Sequence, residues 1–500
     1  MTRALTATEG IQRKSTQRAL WVGSAVLFLV GIFGAGTVSE LLAYLLVVAA
    51  AFLPTVLWFR HGRVGVPILP AVAALHILYY ALPIVRSRED LSEYSPASIL
   101  LAAATVSLYL LAAALAAYPM LSRVRGQEGK KMELISGSQL KTMVFLGLGL
   151  GVLFLGALAA GSLWWLGGLF GLVRAIALTS LVVACYFLGV ARGRGVLRGR
   201  SWLLAASGLG LAILISWSTL FLIGGLVFLL ASSLGYISTR GKIPWLVVTV
   251  AVVLVSILHA GKEEIRNRYW QQGQEEGQST GLLGVPRLAL EWFKAGVNSL
   301  GTTATGRSAL DRASLLQILL RVEYLTPAYI EYMRGDTYLL LPGMLIPRFV
   351  DPDKTKSQAG MDLLNIRYGI LSVEGAEKTA VGWGLIAEAY ANFGLVGVGG
   401  VGLLLGLVTG ALTRWSAQSS GVSVSTLLAI AVMAGLINLE QDLSGLLSSL
   451  MQSTAAVFVF AAVFRLFPRG RGLPRPHTSL PRTALPRQFE SSVSPDLRPR

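Results

Sequence analysis

Residues 244–278 read PWLVVTVAVVLVSILHAGKEEIRNRYWQQGQEEGQ. The first part is an uncharged apolar run of the kind that enters a bilayer, and from His259 it breaks into charged and amide side chains. That break opens a polar excursion over residues 259–383, rich in Arg, Tyr and Pro. On both sides of it the chain is built of apolar segments of membrane length, near residues 20–38, 41–59, 67–85, 97–120, 142–161, 167–190, 202–215, 219–236 and 244–258 before it, and 386–412, 422–438 and 446–466 after it. The stretch 202–236 fits either a tight hairpin or one long helix, and the second reading would put the excursion on the other side of the membrane. With 54% of residues apolar and 14% charged, the fold class is all-α: a polytopic integral membrane protein of about twelve transmembrane helices with one large, partly helical external loop.

Charge placement sets the orientation. Arg13, Lys14 and Arg18 precede the first segment, Arg60 and Arg63 follow the second, and Arg123, Arg125, Lys130 and Lys131 follow the fourth. Arg192, Arg194, Arg198 and Arg200 follow the sixth, Arg240 and Lys242 the eighth, and Arg414 the tenth. The intervening connections are short and neutral or mixed, among them the one that holds Glu89 and Asp90. Basic residues collect on cytoplasmic connections, so both termini read as cytoplasmic and the excursion as external. The expected layout is therefore a cytoplasmic N-terminus (1–18), a membrane region (19–258), the external loop (259–385), a second membrane region (386–467) and a basic cytoplasmic tail (468–500), whose Pro, Arg and Ser content predicts disorder.

The same pattern accounts for the net charge of +17. The excess is topological signal plus tail and forms no single basic face, so nucleic acid is not an expected partner. Cys185 is the one cysteine and lies in a span, which excludes an intrachain disulfide and a cysteine-based metal site. His61, His76, His259 and His477 make no pair at ligand spacing, and no phosphate-cradling glycine loop is present. Neither metal nor cofactor is expected, and ATP-driven transport is not indicated.

Inside the loop, Leu310, Leu315, Leu316, Leu319, Leu320 and Tyr324 recur at helical spacing, predicting a helix within 309–333 that Pro327 ends or kinks. A second short helix fits 281–300. Pro342, Pro347 and Pro352 predict an extended segment over 337–353. In the tenth span Gly402, Gly406 and Gly410 form a small-residue stripe for close helix approach. No internal repeat is visible, which weighs against transporter folds built from repeats.

Three constellations could carry chemistry. Arg174, in Gly171-Leu172-Val173-Arg174-Ala175, sits in the outer half of the sixth span. A guanidinium there costs at least about 2.5 kcal/mol on insertion scales and is kept for function or for pairing. It reads either as a clamp on an anionic lipid diphosphate, which suits its bidentate fork, or as a structural partner of Glu388 or a snorkelling side chain. The second is Ile346-Pro347-Arg348-Phe349-Val350-Asp351-Pro352-Asp353-Lys354-Thr355-Lys356, where prolines fix a backbone that presents cations. Arg307, Arg312 and Arg367 are further loop candidates, although exposed charges are more often plain solvated surface. The third is Gly382-Trp383-Gly384-Leu385-Ile386-Ala387-Glu388-Ala389-Tyr390-Ala391-Asn392-Phe393-Gly394, which enters the tenth span from outside. On a helix Glu388 and Asn392 share a face. A partly desolvated carboxylate at that mouth suits general-base work, and its plainer reading is a helix-start carboxylate on the dipole.

This arrangement resembles the Wzy-type polymerases of O-antigen and exopolysaccharide repeat units. The likeness rests on the layout, on Gly306-Arg307-Ser308 to Arg312, on Ile346-Pro347-Arg348 with Lys354, and on Glu388-Ala389-Tyr390-Ala391-Asn392-Phe393-Gly394. It covers residues 244–412; the N-terminal half matches in hydropathy alone. The loop lacks the histidine used by the related O-antigen ligases. The resemblance implies a membrane glycosyltransferase of the bacterial inner membrane that joins undecaprenyl-diphosphate-linked units. An acceptor hydroxyl attacks the donor's anomeric carbon and lipid diphosphate leaves, without metal or nucleotide. Arg174, Arg307, Arg312, Arg348, Lys354 and Arg367 would then hold diphosphate, with Tyr390 and Asn392 as further substrate contacts. Glu388 would deprotonate or orient the acceptor. Partners would be the lipid-linked glycans and membrane lipids, with a chain-length regulator and a flippase working beside the enzyme. Two other classes compete: an O-antigen ligase or another lipid-phosphosugar glycosyltransferase, in which Glu89 and Asp90 would be essential, and a non-enzymatic polysaccharide flippase or transporter.

Overall fold

The structure is a computed structural model of the chain and describes residues 23–62, 65–86, 91–122, 136–271, 281–300, 314–345, 355–378, 381–418 and 423–466. Among them every regular element is helical. In chain order the main helices are α1 (Gly23–Gly34), α2 (Val38–Arg60), α3 (Ile68–Val85), α4 (Pro96–Ser122), α5 (Gly137–Ala159), α6 (Phe170–Gly193), α7 (Gly199–Trp217) and α8 (Leu222–Arg240). They continue as α9 (Trp245–Ala260), α10 (Gly281–Leu300), α11 (Leu315–Leu325), α12 (Ala359–Arg367), α13 (Gly384–Gln418), α14 (Val424–Ile437) and α15 (Leu443–Leu466). Nine of the described helices, α2 to α8 with α13 and α15, are long and apolar enough to cross a membrane; α1, α9 and α14 are shorter apolar helices. The chain is thus an all-α, membrane-embedded protein. Residues Met1–Ala461 make one compact unit, and a second begins at Ala462, of which the described part is the end of α15.

Helix ends follow local chemistry. Thr37 caps α2 by accepting from the Glu40 N–H at 3.2 Å, and Ser136 with Gln139 forms a reciprocal capping box on α5. The stretch 202–236 resolves as two helices. α7 ends at Trp217, Leu220 turns the chain at φ 61°, and the Trp217 indole N–H donates to the Leu222 carbonyl at 2.9 Å across the turn.

Two groups of helices form the core. α4 packs along α13 and α2, α3 lies against α2 and α14, and α6 is enclosed by α5 and α8, with α14 joining the groups. The glycine stripe of α13 lies against α4: a Cβ on Gly406 would strike the Ala113 backbone, and one on Gly410 would sit 2.9 Å from the Ala117 Cα. Small residues bring the two backbones together, and dispersion between them replaces side-chain burial.

The excursion folds back on this bundle. α10 packs against the end of α9, where the Trp292 indole donates to the Leu258 carbonyl at 2.6 Å. α11 buries Leu315, Leu316, Leu319 and Leu320 against α13 and α4. The expected helix over 309–333 is shorter in the structure; it ends at Thr326, the residue before Pro327. The extended segment expected from 337 instead contains two short helices, Asp336–Leu339 and Leu341–Leu345. Pro342 sits in the first turn of the second, where no intrahelical N–H bond is lost. The remainder of that segment, and the tail, lie outside the described residues.

Candidate functional site

The element that organises the site is a break in α13. Phe393 (φ −142°, ψ 15°) and Gly394 (φ 62°, ψ −149°) leave helical geometry. Gly394 suits the break because its φ is left-handed, and a Cβ there would sit 2.9 Å from the Tyr332 hydroxyl, which would have to shift. The segment from Leu395 to Gln418, at about 1.5 Å per residue, is long enough to cross ~30 Å of hydrocarbon unaided. Residues 384–392 then continue as a separate short helical piece.

A break in apolar surroundings leaves carbonyls that must find donors. The loop supplies them: the Met333 N–H donates to the Ala391 carbonyl at 3.0 Å, and the Arg334 N–H to the Asn392 carbonyl at 3.1 Å. Asn392, fully buried, completes the clamp. Its Oδ1 accepts from the Gly335 N–H at 3.0 Å, and its Nδ2 donates to the Thr337 hydroxyl and the Glu388 carbonyl, each at 2.9 Å. Asn392 is therefore spent on holding residues 333–337 over the break.

Between that clamp and α13 lies an open groove of about 580 Å³. Tyr332, Arg334 and Tyr338 form its loop side, while Val396, Gly397 and Gly400 form an apolar wall along α13. Arg334 is exposed, held at φ 50°, and its guanidinium approaches Glu331 at 3.9 Å. Arg367 is also exposed, at the end of α12, and reaches the Glu331 carbonyl at 3.5 Å. Glu331 thus gathers two guanidinium groups near the groove.

Glu388 lies behind this surface, 1% exposed. Its Oε2 accepts from the Leu443 N–H, the first residue of α15, at 2.6 Å, while Oε1 has no hydrogen-bond partner. Asp442 caps the same helix end through the Gly445 N–H at 3.0 Å and the Ser444 hydroxyl. Burial pushes the Asp442 carboxyl up, and those two donors oppose the shift. The helix dipole accommodates both acids at this N-terminus. Tyr338 lines the groove; burial, and next the negative charge of Glu388, push its hydroxyl up. Entry to α13 is fixed by the Trp383 N–H on the Glu440 carbonyl at 3.0 Å and by the Trp383 indole on Asn365 Oδ1 at 2.8 Å.

Of the residues singled out in the sequence, Glu388, Asn392 and Tyr390 are brought together at the broken helix, with Arg367 close by. Arg174 is exposed near the start of α6, lines no part of the groove and forms no ion pair with Glu388. Arg307, Arg312, Arg348 and Lys354 lie outside the described residues, as do Glu89 and Asp90. Sequence reasoning missed Tyr332, Arg334, Tyr338 and Asp442. The available signal was the tyrosine density of residues 324–338, EYLTPAYIEYMRGDTY from Glu323 onward. No family model, curated protein or solved structure matches the chain.

Proposed function

We propose that the chain is an oligosaccharide repeat-unit polymerase that transfers a growing glycan from undecaprenyl diphosphate to a second lipid-linked unit at the outer face of a bacterial inner membrane. The observation that carries this reading is the groove at the break in α13. An isoprenoid chain needs an apolar wall open to lipid, which Val396, Gly397 and Gly400 offer. A diphosphate needs cations at the wall's outer end, which Arg334 and Arg367 offer, with Arg174, Arg307, Arg312, Arg348 and Lys354 as further candidates from the sequence. Sugars need hydroxyl partners and ring faces, which Tyr332 and Tyr338 provide.

In the reaction, the acceptor hydroxyl oxygen bonds the anomeric carbon as the bond from that carbon to the diphosphate breaks. Negative charge grows on the leaving oxygens, and fixed guanidinium groups oppose that growth at the moment it occurs. Glu388 orients the acceptor through Tyr338, a role suited to a carboxyl whose geometry is locked by the Leu443 N–H. The large loop would face outward and both termini inward.

A second reading, a lipid-linked-glycan transporter, is favoured by one feature: broken helices often line substrate paths in transporters. Purified protein in proteoliposomes, supplied with lipid-linked repeat units extracted from cells that carry this gene, separates the two. Polymerase activity gives a ladder of lengthened glycans, and Glu388→Gln and Arg334→Ala each reduce it by at least about a hundredfold. Movement of single units across the bilayer without lengthening would instead support transport.

A further inference from the structure

α10 carries three stripes of side chains, each repeating at alternating steps of three and four residues. Val285, Leu288, Trp292 and Ala295 make the first and are buried. They seat the helix on the end of α9, where the Trp292 indole donates to the Leu258 carbonyl and a Cβ on Gly296 would strike the Ile257 carbonyl oxygen. Arg287, Glu291, Lys294 and Asn298 make the second, which is polar. The third is apolar yet uncovered: Leu283, Pro286, Leu290, Phe293 and Val297 are all exposed, Leu283 by 97%. A surface helix with one core-facing stripe ordinarily turns polar side chains everywhere else. α10 has a second apolar stripe on the side away from its seat.

The length of α9 says what lies against that stripe. Arg240 and Lys242 precede α9 and an exposed Trp245 opens it, the side chains of a membrane–water boundary. Leu246, Val247, Val250, Val252 and Val253 are exposed along it, so α9 stands at the rim of the bundle. Its 16 residues rise about 24 Å, short of the ~30 Å of hydrocarbon in a bilayer. α10 sits on Ile257 and Leu258, only about 20 Å above the start of α9. A helix seated at that level lies at the edge of the hydrocarbon, where an outward face has to be apolar. The polar stripe has its own outlet. Glu291 accepts from Arg287 Nε at 2.8 Å and from the Tyr269 hydroxyl at 2.7 Å, which compensates the acid. The Arg287 side chain is otherwise 83% exposed, and the Lys294 stem is likewise long enough to lift its charge towards headgroups.

We propose that α10 is an interfacial helix whose partner is the phospholipid bilayer: Leu283, Leu290, Phe293 and Val297 lie among acyl chains, and Arg287 and Lys294 meet the phosphates of the headgroups. The three stripes then face the three environments available at the rim of a membrane protein, namely protein, hydrocarbon and the hydrated headgroup layer. α10 thereby holds the first part of the excursion at the membrane surface, on the side where α9 ends. The inference stands apart from the polymerase reading, since it concerns where the helix lies and not what the groove does.

The test uses full-length protein with Cys185→Ala and one introduced thiol at a time: Leu290→Cys, Phe293→Cys or, on the polar stripe, Asn298→Cys. Each is labelled with a bimane fluorophore and reconstituted in vesicles of phosphatidylcholine and phosphatidylglycerol. Two quenchers are compared, a nitroxide on the lipid acyl chains and iodide in the water on both sides of the vesicle. The Leu290→Cys and Phe293→Cys labels should lose at least about half their emission to the nitroxide lipid and little to iodide, and the Asn298→Cys label should show the reverse. Iodide quenching as strong at Leu290→Cys and Phe293→Cys as at Asn298→Cys would place the stripe in water and overturn the proposal. Protection of those two labels from both quenchers would mean that a protein, either a second copy or another chain, covers the stripe, and would overturn it equally. No elongation is measured, so a negative result leaves the polymerase reading standing, and a protein without polymerase activity can still pass or fail this test.

Discussion

At Glu323 the acid–base chemistry of one side chain sets how firmly the loop is held. Burial raises its carboxyl to about 7, against roughly 4.3 for a free glutamate. Between those values the docked loop retains a proton that a released loop would give up. Docking is therefore strongest at acid pH, weakens as pH rises, and levels off above the folded value, a change of roughly 4 kcal/mol at most. Thermal unfolding in detergent micelles should show the wild type losing stability from about pH 4 to 7 while Glu323→Gln stays level. Equal slopes for the two proteins would mean that Glu323 does not titrate in the fold. Glu388 and Asn392 were legible in the sequence as polar residues sharing a face at a helix mouth. Their work differs from the expectation in part: Asn392 spends all its hydrogen bonds on the clamp over the break. The burial of Glu323 was not legible, because among the leucines of α11 it reads as the solvent side of an amphipathic helix. Only the packing of α11 on α4 buries it.

The elements were read with uneven success for a physical reason. Apolar length and glycine spacing are local properties, so the spans and the stripe at Gly402, Gly406 and Gly410 are visible without a fold. The stripe carries a direct prediction. Gly406→Leu forces α13 away from Ala113 and should destabilise the α4–α13 pair by at least about 2 kcal/mol, seen as a lowered unfolding temperature in micelles. Gly399→Leu, which meets no neighbouring atom, should change little. The break at Phe393 and Gly394 was hidden, because Gly-Leu-Val-Gly-Val-Gly-Gly after it continues the apolar pattern of a span. What makes the break tolerable is remote in sequence: the backbone N–H groups of Met333 and Arg334, which satisfy the freed carbonyls. The turn between α7 and α8 was open between two readings and is fixed by Leu220 and the Trp217 indole, features that hydropathy does not register.

Over the whole molecule, the proposed reaction requires the groove to face the outer leaflet. Parity of the spans decides this, and the α7–α8 hairpin is the element on which the parity turns. The basic connections of the sequence favour the proposed arrangement, with the loop external. The chain's single natural cysteine, Cys185, is buried within α6, so one introduced thiol can report sidedness without interference. Ser357, next to Ser444 and the acids at the start of α15, is the place to put it. In intact spheroplasts of a Cys185→Ala, Ser357→Cys protein, a membrane-impermeant maleimide should label the chain before any lysis. Labelling that appears only after the membrane is opened would place the groove on the cytoplasmic side and contradict the account.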